Sequence, residues 1–155
     1  MGIVMFFHLM QSAPADTLAI NAPRALGQGW RVMVRGTDPA ALDQLDAALW
    51  LKGGDDSFLP HGLEGGPHDA DQPVLLGLGT PLNGAKVLAL VDGAAATDAE
   101  ITAMERVWVL FDGNDQDRLQ AARDQWKVMT GAGHAAQYWS EESGRWEKKA
   151  ESAAR

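Results

Sequence analysis

The side chains whose types could support chemistry are thinly spread in this sequence. Asp92 and Asp112 each close an apolar run, LALVDG and WVLFDG, and two carboxylates at strand ends can hold a metal ion. Each is followed by glycine, however, and an Asp-Gly pair is the ordinary chemistry of a turn, which is the simpler reading. His61 and His68, with Asp69 and Asp71 beside the second, offer ligand atoms, but a spacing of seven matches no particular ligand geometry. Ser57 lies near Asp55, Asp56 and His61, the ingredients of a triad without the glycine-flanked turn that presents a nucleophile. The stretch Gly77-Leu78-Gly79-Thr80-Pro81-Leu82 lacks the third glycine of a dinucleotide fingerprint, and no Gly-Lys-Ser/Thr phosphate loop occurs. These residues predict no catalytic group, no metal site and no cofactor. An α/β enzyme or nucleotide- or metal-binding domain, with Asp92, Asp112 and His61 near a pocket, is the alternative.

The elements that must position these residues follow from the apolar pattern. Val74–Leu76, Val87–Val91 and Val107–Phe111 are apolar runs, and the last two do not alternate with polar residues. Such runs are strands covered on both faces, as in a parallel sheet between helical layers. Ile3–Leu9 and Trp30–Val34 complete the expected sheet, and Ala136–Trp139 supplies an edge strand. Ala41, Leu42, Leu45, Ala48 and Leu49 fall at helical spacing behind Asp38 as cap and Pro39 as first helical residue. A second helix spans 114 to about 131, with Leu119, Ala122, Trp126 and Met129 on one face and Gly131 and Gly133 as stop signals. Pro23 implies that the first helix starts near Asn21 or bends there. The Gly-, Pro-, His- and Asp-rich segment 53–73 is expected to be a long ordered loop. The fold class is therefore α/β, three layers, with a largely parallel or mixed central sheet.

With 155 residues, 46% of them apolar and 22% charged, the chain is sized and composed for one folded domain. It has no cysteine, which rules out disulfides and thiolate ligands and fits a reducing, cytoplasmic setting. The short apolar start carries His8 and no basic leader, so it is read as a first strand rather than a signal peptide. No run approaches the ~20 apolar residues a membrane span needs. A net charge of −8 repels phosphate backbones, so strong direct DNA binding is not expected. Yet seven of 13 Lys and Arg lie after position 113, namely Arg118, Arg123, Lys127, Arg145, Lys148, Lys149 and Arg155. Such a cluster can attract an acidic ligand or simply solvate a helix and tail. A further reading is single-stranded DNA stacking on Trp126, Trp139 and Trp146.

A more specific signal is the stretch LDAALW (45–50), followed by SFLPHGL (57–63) and Gly65-Gly66-Pro67. With Phe6-Phe7-His8-Leu9, Gly29-Trp30-Arg31-Val32 and the segment from Arg123 to Lys127, it closely resembles the chi subunit of bacterial DNA polymerase III, over the chain to about residue 139. The resemblance implies a Rossmann-like α/β/α fold without enzymatic activity, in a clamp-loader assembly. It also implies two partners: the psi subunit or an alternative helicase-type protein, and the acidic C-terminal tail of single-stranded DNA-binding protein. That tail ends in an aromatic residue with a free carboxylate, so its receptor needs cations and an apolar pocket.

Arg123, Trp126 and Lys127, at i, i+3 and i+4, share one side of a helix. By the resemblance they are the tail-binding residues, Trp126 standing where the family has a tyrosine; packing in the core is its competing role. A further basic position of the family falls on Leu119 here, and Arg118 lies about 100° round the helix from it. By the same resemblance Phe58 docks psi or its alternative. Trp50 belongs to that surface or packs at the end of its helix. Residues 1–149 are expected to form a single chi-like domain and 150–155 a frayed tail. The segment Arg145-Trp146-Glu147-Lys148-Lys149 either caps the tail site or is a solvated appendage.

Overall fold

The computed structural model describes residues 2–51 and 60–154. The order is β1 (Ile3–Leu9), α1 (Pro14–Gly27), β2 (Val32–Arg35), α2 (Pro39–Leu51), β3 (His61–Leu63) and, after a 3₁₀ turn at Asp69–Asp71, β4 (Val74–Gly77). Then follow β5 (Val87–Leu90), α3 (Asp98–Ala103), β6 (Arg106–Asp112), α4 (Gln116–Gly131), β7 (Ala135–Ser140) and β8 (Glu147–Ser152). The eight strands form one sheet in the order β3-β4-β2-β5-β6-β1-β7-β8, parallel throughout except for the final β7–β8 pair.

Residues with period two in the strands divide the core into two layers. Phe7, Leu9, Val32, Val34, Val74, Leu76, Trp108 and Leu110 pack with Leu18, Ala22, Leu42 and Leu49 of α1 and α2. Val4, Phe6, Met33, Leu75, Leu88, Val107, Val109 and Phe111 pack on the other face with Ile101 of α3 and Ala122 and Met129 of α4. All four residues of β5 are buried. The unbroken apolar runs thus mark strands covered on both faces, and the fold is the expected three-layer α/β/α arrangement.

The helix ends are tied as their sequences dictate. Asp38 Oδ1 accepts the Ala40 amide at 3.1 Å, and Asp115 Oδ1 accepts those of Asp117 and Arg118. Helix α4 stops at Gly131, with Gly133 at φ +92° just beyond. Thr97 and Glu100 form a reciprocal capping box on α3, a short helix that the sequence pattern did not reveal. Arg35 Nη1 bonds Glu100 Oε1 at 3.0 Å, and its Nη2 bonds Oε2 as well. This guanidinium holds the Glu100 carboxyl down to about 2, against the opposing effect of burial.

Helix α1 starts at Pro14 and runs through Pro23, whose missing N–H leaves one bond unmade on an exposed turn, so of the two readings open at that proline the start near Asn21 falls away. Three further expectations are corrected. The 53–73 stretch contains a strand, His61–Leu63, paired in parallel with Val74–Leu76. β7 is not at the edge, because β8 pairs outside it. Residues 150–152, expected to fray, belong to that strand, with Ala150 opposite Tyr138 and Ser152 opposite Ala136. Ser57, Phe58 and the other residues from 52 to 59 lie outside the described residues.

Candidate functional site

Helix α4 lies on the same sheet face as the even-numbered positions of β1 and β7. Parallel pairing sets Phe6 beside Tyr138 and His8 beside Ser140, all four toward that helix. Between the helix, these strands and β8 is a cavity of about 710 Å³, lined among others by Arg123, Trp126, Lys127, Tyr138, His8 and Lys149. The three residues expected to act together, Arg123, Trp126 and Lys127, therefore meet at one groove. Arg123 and Lys127 are exposed at its rim, whereas Trp126 is half-buried.

The groove floor is aromatic. The Trp126 ring meets Phe6 edge-on at 5.5 Å and Tyr138 at 6.1 Å. Trp126 packs on the core layer and lines the cavity at once. The Tyr138 hydroxyl lies 3.0 Å from His8 Nδ1, and Glu142 Oε1 lies 3.4 Å from the same nitrogen. His8 Nε2 is buried against Gly113 with no hydrogen-bond partner among the described residues. A proton on Nδ1 is donated within this cluster and leaves only a lone pair at Nε2, so we assign that tautomer. Burial raises the Tyr138 phenol above its usual range; Arg123 lowers it in part and Glu142 adds to the rise.

Leu119 packs at the edge of the core layer and offers no charge. Arg118 turns toward Gly93, where a β-carbon would collide with its guanidinium. It does not stand in for a cation at position 119. The groove residues missed in the sequence are His8, Gln120, Tyr138, Ser140, Glu142 and Ala150, whereas Lys149 belongs to the segment offered there as a cap or a solvated appendage. Strand alternation and the neighbouring of β1 and β7 would have found His8, Tyr138 and Ser140; nothing in the pattern announced β8.

On the opposite side of the molecule, Trp50 is 51% exposed at the end of α2, next to Leu51 at 84%. Packing at the helix end thus covers only about half of the side chain. Its ring lies 4.3 Å from that of the buried His61, whose Nε2 is 3.2 Å from the Asp46 carbonyl oxygen and 3.3 Å from Asp46 Oδ1.

Several of the described features that raised enzyme and nucleotide readings take part in turns and caps of the fold. Asp92 sits in a turn at φ +53°, with its carbonyl accepting the Thr37 hydroxyl, and Asp112 Oδ1 caps the Asn114 amide. Asp69 accepts the amides of Gly65 and Gly66. No group of three or more metal-ligating side chains occurs among the described residues. In open parallel sheets the first strand–helix turn commonly cradles phosphate with backbone amides. Here the amides of Met10, Gln11 and Ser12 all point at Glu141 Oε1, at 2.9, 2.8 and 2.7 Å, and Ser12 Oγ bonds Oε2. The glycine-rich turn after β4 is treated likewise, since Glu64 Oε1 accepts the Leu78 amide and its carboxyl lies over Gly77. The chain's own carboxylates occupy both cradles. Trp126 and Trp139 face opposite core layers, and Trp146 stacks edge-on against Phe7 in the layer of Trp139. The three tryptophans therefore form no continuous platform for bases.

Fold and site together define a three-layer α/β domain whose open, cationic and aromatic groove suits recognition of another molecule. The family model described as DNA polymerase III chi subunit, HolC, matches residues 1–137, and the chain belongs to that family. The chain matches no curated protein. Membership makes it a DNA polymerase III accessory subunit. No helix among the described residues is long and apolar enough to cross a membrane.

Proposed function

We propose that this chain is a non-catalytic adaptor of the polymerase clamp loader, and that its α4 groove grips the acidic C-terminal tail of single-stranded DNA-binding protein. The observation that carries the reading is the convergence of Arg123 and Lys127 on the aromatic floor built from Trp126, Tyr138 and Phe6. An arginine fork pairs a carboxylate through two donors, and lysine adds a point charge. The half-buried aromatic wall takes an aromatic side chain. On a protein of net charge −8, this local reversal of sign favours an acidic peptide over a phosphate backbone.

The second partner, psi or a helicase-type alternative, docks on the face that carries Trp50; Phe58, outside the described residues, is assigned to the same partner by the family resemblance alone. Half-exposed Trp50 and exposed Leu51 support that docking face. The adaptor works in the cytoplasm, and no cofactor enters its task.

Fluorescence anisotropy with a labelled acidic peptide ending in an aromatic residue tests the proposal. Wild type is expected to bind at micromolar concentration in low salt, more weakly as salt rises, because the rim charges are exposed and screened. Arg123→Ala is expected to weaken binding about tenfold. Absence of wild-type binding, or binding indifferent to both salt and Arg123, would sink it.

A further inference from the structure

We infer that the β7–β8 hairpin is a second jaw of the α4 groove and that Lys149 is a ligand-contacting cation in it; this rests on reading the groove as an acidic-peptide site. Residue 149 lies beyond the segment matched by the family model, so the inference concerns this chain's own C-terminal part.

The register of the hairpin carries the argument. Ala150 stands opposite Tyr138 and Lys148 opposite Trp139, two neighbours on β7, so Lys149 is an extra residue on β8 without an opposite number. In an unbroken strand, side chains alternate between faces, and Lys149 would point away from the side that Ala150 takes. A bulge breaks that alternation and re-aims a side chain. Lys149 and Ala150 accordingly both line the groove, together with Arg123 and Lys127 from the facing helix. Lys148, opposite Trp139, belongs to the other side.

The charges agree with this geometry. Lys149 Nζ pairs with Glu147 Oε2 at 3.5 Å, and both side chains are more than a third exposed. Such a water-screened pair contributes little and exchanges readily for another carboxylate. The groove then presents three cations from two elements against one lining carboxylate, Glu142. An acidic peptide lying along it is held from both sides instead of resting on one helix face.

The test is anisotropy on the full chain with a synthetic acidic peptide that ends in an aromatic residue and a free carboxylate. Lys149→Ala should weaken binding about three- to fivefold and flatten its salt dependence. Lys148→Ala, which removes the same charge from the same strand, should change it less than about 1.5-fold. Glu147→Gln should tighten binding about twofold by releasing Lys149. Equal effects of the two lysine variants, or none from Lys149→Ala while Arg123→Ala still weakens binding about tenfold, would overturn the second jaw and leave the groove standing. A wild type that binds no peptide would overturn both. Near-UV circular dichroism matching wild type certifies that each variant is folded.

Discussion

The Tyr138 hydroxyl lies 3.0 Å from Nδ1 of His8, a polar contact that ties β7 to β1 beneath an otherwise aromatic groove. Tyr138 is the chain's only tyrosine, so its ionisation can be followed in isolation by ultraviolet absorbance. Burial raises its pKa above the ordinary 10, and the Arg123 charge acts in the opposite direction. The phenolate band is therefore expected only above pH 10, and later still in Arg123→Ala. Because the folded-state value is the raised one, the contribution of this group to stability is complete below the unfolded value. It declines as pH rises through the folded one. A midpoint at or below 10 in wild type would contradict the burial of this hydroxyl.

Glu141 receives three backbone amides and one hydroxyl, and Glu141→Gln keeps its size while removing its charge. Hydrogen bonds to an ionised acceptor are about twice as strong as neutral ones, so a loss of about 2 kcal/mol is expected in urea denaturation. Burial pushes the Glu141 carboxyl up, but the donors from Ser12, Gln11 and Met10 outweigh it, and the net shift is downward. Its contribution is thus present above the unfolded carboxylate value of about 4.3 and lost as pH falls through the lower folded value. Wild type should lose stability in that acid window, and the glutamine variant should show a shallower loss. Parallel pH profiles for the two would refute the clamp.

Under the proposed function Trp126 has a binding task beside its packing, and two substitutions separate them. Trp126→Ala removes a ring packed on Phe6 and Tyr138 and is expected to cost about 3 kcal/mol of stability as well as peptide binding. Trp126→Phe keeps an aromatic wall, should cost about 1 kcal/mol, and should leave peptide affinity within about threefold. Thermal melts beside anisotropy decide the matter. A stable alanine variant that binds normally would remove Trp126 from both roles.

Trp50 should behave in the opposite manner. Half of it is already in water, so Trp50→Ala is expected to lower stability by about 1 kcal/mol through the lost contact with His61. The effect on the second partner should be larger, at least about tenfold in affinity, as for a tryptophan anchor. Titration calorimetry with purified psi or the helicase-type protein reads this. Unchanged affinity would take Trp50 out of the docking face.

The sheet was legible because residues such as Val87–Leu90 and Val107–Phe111 are apolar at every position, a pattern with one economical explanation in a mixed α/β chain. Helix α4 was equally plain, since the Leu119–Ala122–Trp126–Met129 face and Gly131 agree on its side and stop. β8 escaped because Glu147–Ser152 has the composition of a solvated tail. It is a strand on account of its pairing with β7, and edge pairing leaves little trace in composition. The helical half of the groove, Arg123, Trp126 and Lys127, was singled out by the family resemblance, while local spacing placed the three on one side of a helix. The other half depends on β1 and β7 becoming neighbours from opposite ends of the chain, which no local pattern encodes. Pro23 left two readings open for a related reason, and the burial of Leu18, Ala22 and Ala25 decides against a start near Asn21.

The placing of β1 between β6 and β7 has a consequence for the order in which the molecule is made. A chain emerges from the ribosome amino end first, and domains complete themselves when the necessary segments are available. β1 precedes every other described strand, but its register partners are Arg106–Asp112 on one side and Ala135–Ser140 on the other. Until those are synthesised, an apolar strand containing Val4, Phe6 and Phe7 waits without neighbours, and the β1–α1 turn waits for Glu141. Closure of the sheet around β1 therefore comes long after β1 itself has emerged, and that strand is the stretch of the fold most in need of shielding meanwhile.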